Sequence, residues 1–107
     1  MITRSDIPPG SQASQATHAA IEFCFEHHDI AKKWNIRSNY LVMLSAKNEE
    51  YLEEIIEKAN EREIKFSIFR EPDLGNTITS IAMEPGDKSR KACSSLPLML
   101  KNYVATQ

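Results

Sequence analysis

Apolar positions along the chain follow two rhythms. In residues 11–27, Ala13, Ala16, Ala20, Phe23 and Cys24 recur at spacings of three and four. That spacing predicts a helix with one flat, alanine-rich face suited to close approach to a sheet. Residues 39–45, Asn-Tyr-Leu-Val-Met-Leu-Ser, form a nearly unbroken apolar run of strand length and read as a buried strand. Asn48 is a capping type, with Glu49 and Glu50 placed favourably in the first turn of the helix it opens. In that helix Leu52, Ile55, Ile56 and Ala59 make the buried stripe, while Glu53, Glu54, Glu57 and Lys58 face water. Residues 65–70 alternate as a strand, and residues 77–83 make another. Between them, Glu-Pro-Asp-Leu-Gly-Asn over 71–76 is turn chemistry.

The remaining segments are shorter. Residues 1–3 read as a strand, and residues 6–10, with two prolines and a glycine, as a turn. Residues 29–38 read as a short helix or loop. Asp87 caps a short helix, and a last helix runs over 96–104 with Pro97 in its first turn. The order is strand, helix, short element, strand, helix, strand, strand, helix. It predicts an α/β fold with a mixed, mostly parallel sheet covered by helices on both faces. The last two strands are expected as an antiparallel hairpin or as neighbours.

Length and composition narrow the class. At 107 residues, with 41% hydrophobic and 26% charged positions, the chain matches one ordinary globular domain, read here as residues 1–107. No internal repeat or linker divides it. No apolar run nears the roughly 20 residues of a membrane helix, so no membrane partner is expected. The opening residues lack a signal peptide's apolar stretch, which predicts a cytoplasmic protein. Thirteen basic and fifteen acidic side chains give a net charge of −2, which argues against a nucleic-acid binder held by bulk positive charge. Two cysteines, Cys24 and Cys93, are too few for a disulfide framework and are expected reduced and packed.

Candidate chemistry concentrates on the first long helix. Ser11, Gln15, His18 and Glu22 are spaced four, three and four, so they share a face beside the alanines. An aligned amide, imidazole and carboxylate can bind a polar ligand or move a proton near neutral pH; the plainer alternative is a solvated face. Glu71 and Asp73 lie in the turn between two strands, where a carboxylate can orient water, or can simply serve the turn. Thr77 and Thr79 are either hydrogen-bond donors or plain β-formers. Several constellations fail. Cys24, His27 and His28 have no second pair to complete a zinc site. No G-x-S-x-G, G-x-G-x-x-G or P-loop occurs. The basic sets Lys32, Lys33, Arg37 and Lys88, Arg90, Lys91 suit phosphate contacts or soluble surface.

These segments together resemble the type-2 peptidyl-tRNA hydrolase family. The likeness runs from Thr-Arg-Ser-Asp-Ile-Pro-Pro-Gly and the following Ser-Gln-Ala-Ser-Gln-Ala-Thr-His-Ala-Ala, through the apolar run and the glutamate-rich helix, to the stretch ending Thr-Ile-Thr-Ser-Ile-Ala-Met-Glu-Pro. The resemblance implies a three-layer α/β/α sandwich with a mixed four-stranded sheet. It implies hydrolysis of the ester joining peptide to tRNA, with no metal or organic cofactor and with tRNA as partner. It places the family's helix glutamine and histidine on Gln15 and His18, its strand threonine on Thr79, and its acidic residue on Glu71, with Asp73 as second candidate. His18 is then expected to assist proton transfer or position water. Ser11, Gln15, Asn76 and Thr77 are expected around the substrate. One departure stands out: the family's catalytic lysine before the helix corresponds to Ser11 here. That loss favours an alternative, a non-catalytic binding module on the same scaffold. A third expectation, a homodimer, rests on any exposed share of Leu96, Leu98, Met99 and Leu100.

Overall fold

The computed structural model describes residues 1–102. Strand β1 (Ile2–Arg4) is followed by helices α1 (Pro9–Glu26) and α2 (His28–Ile36), then β2 (Leu44–Ala46) and α3 (Glu49–Glu61). Strand β3 (Phe66–Glu71), a 3-10 turn (Pro72–Leu74), β4 (Thr77–Met83) and α4 (Asp87–Ala92) complete the order. The four strands form one mixed sheet in the order β2-β1-β4-β3.

The sheet is mostly antiparallel, which corrects the expectation of a mostly parallel one. Only β1 and β2 run parallel. A parallel neighbour needs a long crossover, and α1 with α2 supplies it there. The β3–β4 connection is too short for a crossover, so that pair closes as an antiparallel hairpin, and β1 meets β4 antiparallel as well.

Helices cover both faces. Ile2, Ile78 and Ile81 pack with Leu52 and Ile55 of α3. Ala82 packs with Ala19 and Phe23 of α1. Neighbouring strand residues point to opposite sides of a sheet, so the two clusters make a three-layer α/β/α sandwich. The cap on α3 is the expected one: the Asn48 side chain accepts from the Tyr51 backbone N–H at 2.9 Å. For α4 the cap is Gly86, whose φ of 127° suits glycine, and Asp87 is the first helical residue.

Three expectations give way. Helix α1 begins at Pro9, because proline is tolerated in a first turn where its missing N–H has no partner to lose. Its buried stripe is Gln12, Gln15, Ala16, Ala19 and Phe23, while Ala13 and Cys24 are exposed. The helix is rotated from the all-apolar stripe: Gln15 finds partners on β3 and β4, and the Gln12 amide nitrogen donates to the loop before the helix, which offsets part of their desolvation. In the apolar run, only Leu44–Ala46 is strand; Tyr40, Leu41 and Val42 are 75%, 65% and 53% exposed. A strand needs partners for its N–H and C=O groups, and β1 offers them in register only from Ile2 to Arg4.

The expected helix over 96–104 is absent from its described part; residues 103–107 lie outside the described residues. Instead the chain returns along the free edge of β2. The Ser45 N–H donates to Pro97 O at 2.9 Å, Met99 N–H to Met43 O at 2.8 Å, and Leu98 bridges Leu44 antiparallel. An unpaired strand edge carries strong hydrogen-bonding demand, and Pro97, lacking an N–H, meets it as an acceptor. Leu96 packs into the core, whereas Leu98 is 60% exposed.

The two cysteines differ. Cys93 is buried with its thiol 3.6 Å from the Met83 sulfur, and burial pushes that thiol up from its ordinary range. Cys24 is exposed, contrary to its expected packing. A maleimide is expected to modify Cys24 alone in the native protein and both cysteines in denaturant, as read by intact mass. Two adducts on the native protein would contradict this burial.

Among the described residues, no helix is long and apolar enough to cross a membrane, and no group of histidine, cysteine and carboxylate side chains is placed to hold a metal ion.

Candidate active site

A defect in the sheet places the central group. Phe69 of β3 pairs with Ser80, but Arg70 pairs with Ile78, so Thr79 is an extra residue on β4. Ile78 and Ile81 are three apart yet both join the α3 cluster, which strict alternation forbids. The bulge resolves the conflict and turns Thr79 toward α1. There its hydroxyl donates to Gln15 Oε1 at 2.6 Å. Gln15 Nε2 in turn faces Glu71 Oε1 at 3.5 Å. Three residues from three elements thus form one polar chain, Thr79 to Gln15 to Glu71.

The chain has a direction. Thr79 is 0% exposed and commits its proton to the glutamine carbonyl, so it reaches a ligand only through Gln15. Gln15 is 6% exposed, and Glu71, at the end of β3, is half-buried. Thr79 therefore fixes which end of the amide faces outward: the oxygen is held inside and the NH2 group is presented beside the carboxylate. Thr79→Val would leave Gln15 Oε1 buried without its donor. The expected loss is about 1–3 kcal/mol of stability by urea unfolding, with Thr79→Ser close to wild type. Equal stability of the Val and Ser variants would mean that this hydrogen bond contributes nothing.

His18 stands one helical turn beyond Gln15. Its ring lies parallel to Phe69, with centroids 4.3 Å apart and planes 6° from parallel. His18 is exposed, and Phe69 is partly buried against the Ala19, Phe23 and Ala82 cluster. Neither His18 nitrogen has a hydrogen-bond partner among the described residues.

The other residues singled out from the sequence are more dispersed. Ser11 is exposed in the first turn of α1, four residues before Gln15. Glu22 is also exposed, one further turn past His18. Asp73 sits exposed in the 3-10 turn, without a side-chain partner among the described residues. Asn76 follows Gly75, and both are left-handed, at φ 63° and 66°; together they reverse the chain into β4. Asparagine tolerates that conformation, so its residue type answers the turn. The Thr77 hydroxyl donates to Leu74 O at 2.9 Å and accepts from Arg4 at 3.3 Å. Gln15, Glu71 and Thr79 are thus brought into one chain with His18 beside it, while Asp73, Asn76 and Thr77 belong to the turn.

The sequence reading missed the supports of this region. Beyond Thr3, β1 no longer pairs with β4, and side chains take over: Ile78 N–H donates to Glu49 at 2.7 Å, and Arg4 donates to Ile78 O at 3.3 Å. Arg4 also grips Asp6 at 2.8 and 3.0 Å, a hydrogen-bonded pairing that holds the Asp6 carboxyl below its usual range. Gln12 Nε2 donates to Ile7 O at 2.8 Å and ties the loop before α1 to the helix. None of these roles leaves a mark on hydrophobic periodicity.

The model of one family, peptidyl-tRNA hydrolase PTH2, matches residues 1–99. The chain belongs to that family. No curated protein matches it. The matched span contains every described element, including the bulged strand and the return along β2. Away from the polar chain, this family member carries a groove of about 740 Å³ between α1, α2 and the 38–44 segment. Phe23, Trp34 and Tyr40 line it, and Lys33, Arg37 and Arg90 border it, so the fold brings parts of both basic sets to one place.

Proposed function

We propose that this protein hydrolyses the ester between peptide and tRNA. The observation that carries the proposal is the Thr79–Gln15–Glu71 chain, in a member of the peptidyl-tRNA hydrolase PTH2 family. Ester hydrolysis needs a base for the attacking water and a donor aimed at the emerging oxyanion. Glu71 supplies the base. It takes a proton from water as the water oxygen bonds to the ester carbonyl carbon. Gln15 supplies the donor: its outward NH2 group offers an N–H to the carbonyl oxygen as negative charge develops there. When the tetrahedral intermediate collapses, the bond to the ribose oxygen breaks and that oxygen takes the proton held by Glu71. The products are the free peptide acid and tRNA. Thr79 serves as a positioning residue, keeping the amide from flipping.

The partner in this reading is tRNA, held through phosphates and its single-stranded end despite the acidic total. Lys33, Arg37 and Arg90 at the groove are the cations offered for that contact. The test is single-turnover incubation of purified protein with an N-blocked aminoacyl-tRNA, following released tRNA. Release faster than the spontaneous rate, and lost in Gln15→Ala, is the expected result. Absence of release overturns the hydrolase reading, and salt-sensitive retention of tRNA in that event would identify a binding module instead.

A further inference from the structure

The His18 ring lies stacked on a second ring. A histidine that exchanges protons in catalysis is normally oriented by a partner on its second nitrogen. Neither nitrogen of His18 has one among the described residues. What does hold the ring is Phe69, parallel at 4.3 Å and itself anchored against Ala19, Phe23 and Ala82. One face of the imidazole is thus covered. The residue is nonetheless exposed, and no further ring stacks on it among the described residues. A flat ring backed by a second flat ring is the surface on which unstacked nucleobases are bound.

Its place along α1 selects the base. Gln15 and His18 are three residues apart on adjoining turns, a rise of about 4.5 Å along the helix axis. In peptidyl-tRNA the ester sits on the ribose of the terminal adenosine, so the adenine lies one sugar ring from the scissile bond. A carbonyl beside Gln15 and Glu71 leaves that adenine a helical turn away, at the level of His18. We infer that the His18–Phe69 pair is the stacking platform for the terminal adenine of the substrate, and that His18 acts through its ring face. This inference rests on the proposed hydrolysis for the identity of the substrate.

The test uses an acceptor-stem RNA hairpin with a single-stranded CCA end and 2-aminopurine replacing the last adenine. It carries no ester, so binding is read apart from hydrolysis. Wild-type protein is expected to quench the probe on binding. His18→Phe keeps a flat ring and is expected to retain quenching and affinity. His18→Ala is expected to lose the quench and to bind roughly 5- to 150-fold more weakly, the equivalent of about 1–3 kcal/mol of base stacking. Phe69→Leu is expected to fall between them. An RNA ending in CC should bind wild type and His18→Ala alike. In hydrolysis, His18→Ala should raise KM and leave kcat nearly unchanged. Equal quenching by wild type and His18→Ala would overturn the platform while leaving the hydrolase reading intact, as would a His18→Phe variant as impaired as His18→Ala. Failure of wild type to bind any of these RNAs would also overturn the platform, whereas the hydrolase reading stands or falls on the release assay alone.

Discussion

Glu71→Gln is expected to slow tRNA release by about 10²–10⁴-fold in kcat, the range associated with losing a general base. The substitution is nearly isosteric. A glutamine oxygen there can still accept from Gln15, so the polar chain survives while the basic oxygen does not. KM should therefore change little. The informative control is Asp73→Asn. Asp73 is exposed in the 3-10 turn and lacks a side-chain partner among the described residues, so its loss should alter the rate by no more than a few fold. Single-turnover rates for the two variants, side by side, decide between the two carboxylates that the sequence left open. A large defect in Asp73→Asn with a normal Glu71→Gln would move the chemistry into the turn and dismantle the proposed site.

Ser11→Lys is expected to raise kcat/KM by about 10²-fold. The resemblance places a catalytic lysine at this position, and one electrostatic stabiliser of developing negative charge is commonly worth about 10²–10³ in rate. Ser11 is exposed and stands four residues before Gln15, so a lysine there shares the helix face that carries Gln15 and His18. A cation in the first turn opposes the helix dipole by only about 0.3–1 kcal/mol, too little to threaten folding. Ser11→Met supplies a long side chain without charge and should leave the rate unchanged. Equal rates for the Lys and Met variants would show that this position is too far from the reacting ester to matter.

How much of the site could be read from the sequence depended on the residue. Gln15 and His18 were found by helical spacing, because a helix maps sequence distance directly onto a shared face. Glu71 shares the turn between two strands with Asp73, and only the family resemblance ranks it first. The chain that links them was not legible. Period-two alternation from Ile81 puts Thr79 on the α3 side, and only the extra residue in β4 brings it to Gln15. A bulge depends on how two strands register, and neither strand announces it alone. Phe69 is likewise invisible as the ring beneath His18: alternation over 65–70 puts it on the face opposite Phe66 and Ile68, and says nothing of what it touches.

For the fold, the local signals proved sufficient where hydrogen bonding is local. The core of α3, its Asn48 cap, the turn at Gly75 and Asn76, and the bounds of β4 all follow from residue types and their period. Partner choice was decided only in three dimensions. The apolar run over 39–45 is strand-like throughout, yet it pairs only where β1 lies alongside. The segment around Pro97 becomes an edge partner of β2 because that edge had N–H groups to satisfy. A chain encodes its helices through neighbours a few residues away. Its sheets, and the polar site built on one, depend on groups far apart in sequence whose meeting is settled by packing.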